Sequence, residues 1–243
     1  MVKIASKSDI GRVRSSNQDS FSAGEIRGAA WAVVCDGMGG ANGGNIASGK
    51  AVKTISDCIT AAYHSDMSAN GISAMLESAI IAANLNIYDE AAENTDLAGM
   101  GTTVVAAIAY GESIILAHAG DSRAYIYEAG ALRQITRDHS VVQKMIERGE
   151  ITPDEARNDP RKNVITRALG VSEDIEIEFG EEVLPKGAIL ILCTDGLTNY
   201  VDSGQMSNII DNNKFEDCPK LLVDAANSGG GTDNITVVMI KND

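Results

Sequence analysis

Apolar side chains recur at helical spacing in two consecutive stretches of this chain. Over 46–64, Ala47, Ala51, Ile55, Cys58, Ile59 and Ala62 share one face, and over 71–93, Ile72, Met75, Leu76, Ala79, Ile80 and Ala83 repeat the signal. That spacing predicts two amphipathic helices in succession. The runs "TTVVAAIAY" (102–110), "SIILAHAG" (113–120) and "RAYIYEAGALRQI" (123–135) read instead as strands. Gly111-Glu112 joins the first pair, and Glu128–Ala131 turns a hairpin inside the third. Residues 140–157 return to helix, with Thr152-Pro153-Asp154-Glu155 as a start signature combining a cap, a first-turn proline and a capping box. Strands follow at 174–183 and 188–194, short helices near 203–212 and 216–228, and a last strand at 234–240. Strands linked as hairpins, with helices paired between them, predict an α+β fold of antiparallel sheets under helix layers. Without a linker or internal repeat, residues 1–243 read as one domain.

Composition narrows the function. Lys and Arg number 20 against 34 Asp and Glu, for a formal net charge of −14. Such an excess of negative charge excludes non-specific binding to nucleic acid or anionic membranes, which needs a basic surface. No apolar run approaches the roughly 18–20 residues that span a bilayer, and no secretory leader opens the chain, so a cytoplasmic protein with reduced thiols is expected. Cys35, Cys58, Cys193 and Cys218 are widely spaced, and His64, His118 and His139 show no ligand spacing with them, which disfavours zinc.

The chemistry concentrates where apolar runs stop. "WAVVCDGMGG" (31–40) ends in Asp36-Gly37, "ILCTDGL" places Asp195-Gly196 after another apolar run, and "AHAGDSRAY" places Asp121 at a strand break. Asp19 follows "SNQ", and Asp233 stands just before the final strand. Any one Asp-Gly pair is equally a tight turn. Taken together, carboxylates gathered at one end of a sheet core repel each other and resist burial, so they need cations. Ligand sets of oxygen alone select hard ions, Mg²⁺ or Mn²⁺. On this reading Asp36 is a metal ligand, the Gly37 carbonyl is another, and the glycines clear space around the ion. The rival, a phosphate-cradling loop in "DGMGGANGG", lacks the lysine-bearing GxxxxGK[ST] pattern.

The segments "GRVRSSNQDS" (11–20), "VVCDGMGGANGG" (33–44), "MGTTVVAA" (100–107), "AHAGDSRAYIY" (117–127), "ITRDHS" (135–140), "NVITRALG" (163–170), "LILCTDGL" (190–197) and "GGTDNITVVMI" (230–240) occur in the order seen in one known family. Through them the chain resembles the metal-dependent Ser/Thr protein phosphatases, the PPM or type-2C family, in its compact bacterial form. The resemblance covers nearly the whole chain. It implies a four-layer α-β-β-α sandwich with a binuclear Mn²⁺ or Mg²⁺ centre at one end. Asp36 would bridge two tightly held ions, with the Gly37 carbonyl, Asp195 and Asp233 completing the protein ligands. Asp19 would act mainly through ordered waters, Asp121 would help hold a weaker third ion, and Arg14 would grip the substrate phosphate. An activated water would then attack phosphorus directly, with no enzyme nucleophile.

Many relatives carry histidine at the positions of Met38, Ala41 or Asn163; this chain carries none there, so the leaving group's proton must come from elsewhere. Residues 141–165 match the family's flap beside the active site. His118 is expected in the core or just behind the site, and His139 is expected to order a turn. The resemblance further implies phosphoserine and phosphothreonine proteins as substrates, a Ser/Thr kinase among the partners, and a monomer. A phosphoprotein-binding scaffold with little turnover is the alternative, against which the presence of Arg14, Asp36, Asp195 and Asp233 argues.

Overall fold

A computed structural model describes residues 2–243, with the backbone alone at residues 41 and 42. Position 41, one of the three that lack the relatives' histidine, therefore lies outside the described side chains. The chain opens with two strands that the apolar pattern did not reveal, β1 (Val2–Asp9) and β2 (Asp19–Ile26). Both are sheet edges, so their sequences, VKIASKSD and DSFSAGEI, need not carry the valine-rich runs of interior strands.

Next come β3 (Ala29–Met38), α1 (Gly40–Ala62) and α2 (Ala69–Glu93). Strands β4 (Gly101–Thr102), β5 (Val104–Tyr110), β6 (Ser113–Ala119), β7 (Arg123–Glu128) and β8 (Ala131–Gln134) follow. Two short helices, α3 (Val141–Glu147) and α4 (Pro153–Ala156), precede β9 (Glu178–Val183) and β10 (Ile189–Cys193). The chain closes with α5 (Asp195–Thr198), α6 (Ser203–Asn212), α7 (Cys218–Gly229) and β11 (Ile235–Asn242). No helix among the described residues is long and apolar enough to cross a membrane.

One sheet has the order β1-β11-β10-β7-β8 and the other β2-β3-β5-β6-β9, with β4 paired to the end of β3; every pairing is antiparallel. Side chains of a strand alternate between faces, and here both faces are apolar. Along β3, Trp31, Val33 and Cys35 pack under α1 and α2, while Ala30, Ala32 and Val34 pack between the sheets. Along β11, Val237 and Met239 meet α6 and α7, while Val238 and Ile240 meet the opposite sheet. Three apolar layers thus separate four layers of structure, the α-β-β-α sandwich expected. Ile55, Ile59, Leu76 and Ile80 are wholly buried on the outer helices, each contributing about 1.5–3 kcal/mol by burial.

Several boundaries differ from the sequence reading; the helix expected over 140–157 is two short ones, α3 and α4, parted at 148–152. Helix α1 starts at Gly40, seven residues before Ala47, its first periodic position, because Gly43 and Gly44 carry no apolar periodicity to mark it. The run at 102–110 is interrupted at Thr103, since Thr102 turns to pair with both β3 and Leu169. The strand expected from 174 begins only at Glu178; Ile175 and Ile177 instead pack against the α1/α2 layer.

Candidate metal centre

Asp36 lies inside β3 rather than at its end. Its register partner is Asp19 on β2, so two carboxylates face each other directly across neighbouring strands. Like charges in that relation destabilise a sheet. The backbone here is tightly held: the Asp36 N–H donates to Thr103 Oγ1 (2.9 Å), and the Asp36 carbonyl accepts from the Thr103 N–H (2.9 Å) and Thr102 Oγ1 (2.9 Å). Gly37 is required by backbone crowding. A Cβ there would sit 2.0 Å from the Gly44 carbonyl oxygen and 2.6 Å from that of Gln18. The expectation that glycine clears space around an ion is therefore corrected at this position: the first turn of α1 occupies that space, closing against β3.

The second sheet supplies the other carboxylates. Asp195 opens α5 just after β10, near enough to Asp36 for the two carboxylates to repel. Asn199 Nδ2 donates to its Oδ2 (3.1 Å), whereas its buried Oδ1 has no partner. Asp233 precedes β11, and its Oδ1 accepts the N–H of Asn234 (2.8 Å). Its Oδ2 accepts from Arg14 at 2.7 Å, which fixes the guanidinium at the mouth of the cavity. Asp121 stands in the turn between β6 and β7. A cavity of about 470 Å³ is lined by Arg14, Asp36, Asp121, Asp195 and Asp233, with Met38, Asn163 and Ile165 on its other side.

Asp19 lies behind this cavity. Its Oδ2 accepts from Thr194 Oγ1 (2.9 Å), just past the end of β10, and Thr236 Oγ1 (2.7 Å) on β11, while its buried Oδ1 has no partner. Burial raises the Asp19 carboxyl to about 7 against the pull of those two hydroxyls. Asp36 is pushed well above the carboxylate range, first by burial and then by Asp19, Asp195, Asp121 and Asp233. Asp121 is raised to about 8 by burial and by Asp195. Asp195 is raised as well, by burial and by Asp233. Asp19, Asp36, Asp121 and Asp195 are thus held where burial opposes their ionisation, with Arg14 and Asp233 beside them. Bare buried acceptor oxygens and an all-oxygen donor set fit divalent Mg²⁺ or Mn²⁺.

Sequence reading missed the residues that hold these groups. Asn234, buried, donates through Nδ2 to the Ile10 (2.9 Å) and Ser16 (3.0 Å) carbonyls and accepts from the Gln18 N–H (2.8 Å). It thereby ties the loop bearing Arg14 to the start of β11. Thr194 and Thr236 orient Asp19 from 175 and 217 residues away. Their only sequence signal was their place inside the strand-end motifs.

Segment 141–165 leaves the sandwich and returns beside its point of departure. The Val141 N–H donates to the Val164 carbonyl (2.8 Å), and the Thr166 N–H to the His139 carbonyl (2.7 Å). Its returning arm brings Asn163 and Ile165 to the cavity. His118 and His139 are buried at its root, with parallel rings 4.6 Å apart. His139 Nδ1 accepts from the Gly120 N–H (3.2 Å), which leaves Nε2 to donate to Glu178 Oε2 (3.1 Å). Neither histidine reaches the carboxylate cavity. All four cysteines are free thiols.

Comparison with known proteins agrees with this geometry. Residues 11–221 match the model of the family described as protein phosphatase 2C. The chain is 38% identical over 241 residues to the serine/threonine phosphatase stp of Listeria monocytogenes, covering 98% of this chain and 94% of that protein. A solved serine/threonine phosphatase of S. agalactiae superposes with a TM-score of 0.94 at 33% identity, over 100% of both chains. The catalytic domain of the serine/threonine protein phosphatase PstP, solved in complex with two manganese ions, superposes at 0.88 with 32% identity, over 99% of this chain and 97% of that one. With its motifs, its two-sheet sandwich and its carboxylate cluster in agreement with these relatives, the chain belongs to the protein phosphatase 2C family.

Proposed function

We propose that the protein hydrolyses phosphoserine and phosphothreonine in proteins, using two tightly held Mn²⁺ or Mg²⁺ ions and a weaker third. The observation that carries this reading is the convergence of Asp36, Asp121, Asp195 and Asp233 with Arg14 on one open cavity. Asp36, the Gly37 carbonyl, Asp195 and Asp233 would hold the two tight ions, and Asp121 the third. Bound divalent ions supply an acidified water as nucleophile and polarise the phosphoryl oxygens.

The chain's own residues do the rest. Arg14, set by Asp233 and by the Asn234-tied loop, presents a planar fork of donors to the phosphate. Charge-assisted bonds of this kind strengthen as charge shifts onto the phosphoryl oxygens in the transition state. Thr194 and Thr236 aim Asp19 toward Asp36, so that its free Oδ1 is left to orient water. Met38 and Asn163 offer no acidic proton to the leaving oxygen, which leaves water ordered near Asp121 as its source. A Ser/Thr kinase and that kinase's targets are the expected partners of a cytoplasmic, monomeric enzyme.

The test is phosphate release from a phosphothreonine peptide. Release with Mn²⁺, loss on EDTA treatment and recovery on adding Mn²⁺ in excess support the reading. Turnover that survives complete chelation, or none with Mn²⁺, contradicts it.

A further inference from the structure

A second cavity, of about 430 Å³, adjoins the carboxylate cavity, and Met38 and Ile165 line both. One wall is apolar, built from Met38, Ile165, Ala168, Val171 and Ile175, while charged and polar side chains, Lys144, Arg167, Asp174 and Glu176 among them, line the rest. Gly101 makes that wall continuous. A Cβ on Gly101 would fall 2.8 Å from Met38 Cε and 2.9 Å from Val171 Cγ2, so its absence lets the two side chains close over it. An apolar strip thereby runs from the carboxylate cavity out to Val171, which is 55% exposed.

The wall is also rigid. Thr102 and Leu169 exchange both backbone hydrogen bonds, at 3.0 and 2.8 Å. Asn84, wholly buried on α2, donates to the Ser172 (3.0 Å) and Glu173 (2.8 Å) carbonyls and accepts from the Gly170 N–H (2.8 Å). Buried bonds thus hold a loop whose valine stays in water. What distinguishes Val171 from other exposed apolar residues is its place on a preformed wall that continues into the carboxylate cavity through Met38. A second phosphate is a poor occupant. Arg167 is engaged by Glu176 at 2.7 Å and Glu178 at 3.9 Å, and Asp174 sets a negative charge on the lining against that of Lys144, so no excess of positive charge is left for it.

We propose that this cavity receives an apolar side chain of the phosphoprotein substrate, a few residues along the chain from the phosphorylated one. The inference rests on the phosphatase reading and adds to it a determinant of sequence preference. Spheres of these two volumes are about 10 Å across, so adjoining centres are about three residues of extended chain apart. The side chain is held equally in ground and transition states, so its effect falls on KM.

The experiment uses Mn²⁺-loaded enzyme and phosphothreonine peptides of otherwise fixed sequence. Leucine replaces alanine singly at each position from four before to four after the phosphothreonine. One position, two to four residues away, should raise kcat/KM about tenfold, through KM. In Val171→Asp, an exposed site that the fold tolerates, the leucine-to-alanine ratio at that position should fall to about one. Val171→Ala should leave an intermediate ratio. Turnover of every peptide with no leucine preference, or a preference unchanged in Val171→Asp, overturns the subsite and leaves the phosphatase reading standing. Absence of turnover with any peptide overturns both.

Discussion

Two clusters of buried titratable groups stand on this sandwich, and they are finished differently. At the open end, Asp19, Asp36, Asp121 and Asp195 are all raised by burial, and Asp19 and Asp195 each keep a buried oxygen without a partner. At the root of the 141–165 segment, His118, His139 and Glu178 offer ligand atoms within 4.8 Å of one another, which on distance alone also suits a metal. That second cluster is largely engaged by its own neighbours, although His118 Nδ1 is also buried without a partner. The Arg137 carbonyl engages His118 Nε2 at 3.0 Å, the Gly120 N–H engages His139 Nδ1, and an Arg167 nitrogen lies 2.8 Å from His139 Nε2. A guanidinium stands where an ion would have to sit. Convergent ligand types do not by themselves make a metal site; uncompensated charge at an open cavity does.

The sharpest way to separate the clusters uses the leaving group. A serine or threonine alkoxide needs a proton on departure, whereas the nitrophenolate of p-nitrophenyl phosphate hardly does. Asp121→Ala should lower kcat/KM on a phosphopeptide by about 100-fold or more, the usual scale of acid catalysis, and on nitrophenyl phosphate far less. Equal losses in Asp121→Ala, together with selective phosphopeptide loss in His139→Gln, would transfer the proton's source to the histidine cluster.

Arg14→Ala probes the open cluster without replacing a carboxylate, though it frees Asp233 Oδ2 of its 2.7 Å partner. Removing a charge-assisted contact costs about 1.5–3 kcal/mol, or about 10–150-fold in kcat/KM, shared between KM and kcat. Mn²⁺ binding should persist. If phosphopeptide kinetics hardly change, Arg14 does not hold the phosphate.

Opposite pH slopes are the smallest expected effect. Asp19 at about 7 and Asp121 at about 8 lie above the unfolded carboxylate value of about 4. The folded chain therefore binds more protons across that interval, and without metal its stability should fall as pH rises from about 4 to 8. Burial lowers His139 from its usual value, so its contribution is present above about pH 6.5 and lost as pH falls. Melting temperatures in EDTA should drop by several degrees from pH 6 to 8, and Mn²⁺ should flatten that slope. His139→Gln should lower stability, slow both substrates alike and reduce the loss on the acid side. A metal-free slope of the opposite sign would break the comparison.

The sequence carried these two regions unequally. Asp36, Asp195 and Asp233 were legible because each adjoins an apolar strand, and their order along the chain matched one family. Asp19 was legible as a residue but not as a bridge between sheets, because Thr194 and Thr236 reach it only after the sheets stack. Strands β1 and β2 were hidden by their edge positions and polar composition. His118 and His139, 21 residues apart, meet only because the chain crosses from β6 to β7 in the other sheet and turns back through the β7–β8 hairpin, which no local spacing reports.

Every role proposed for these residues requires the open carboxylate cluster to be a divalent-metal centre. Calorimetric titration of Mn²⁺ into metal-free protein, wild type beside Asp36→Asn, tests that most directly. Two tight sites are expected in the wild type, and loss of tight binding at both in a folded Asp36→Asn protein with an unchanged circular dichroism spectrum. Unchanged stoichiometry and affinity in the variant would show Asp36 to be a strand residue with no part in holding metal.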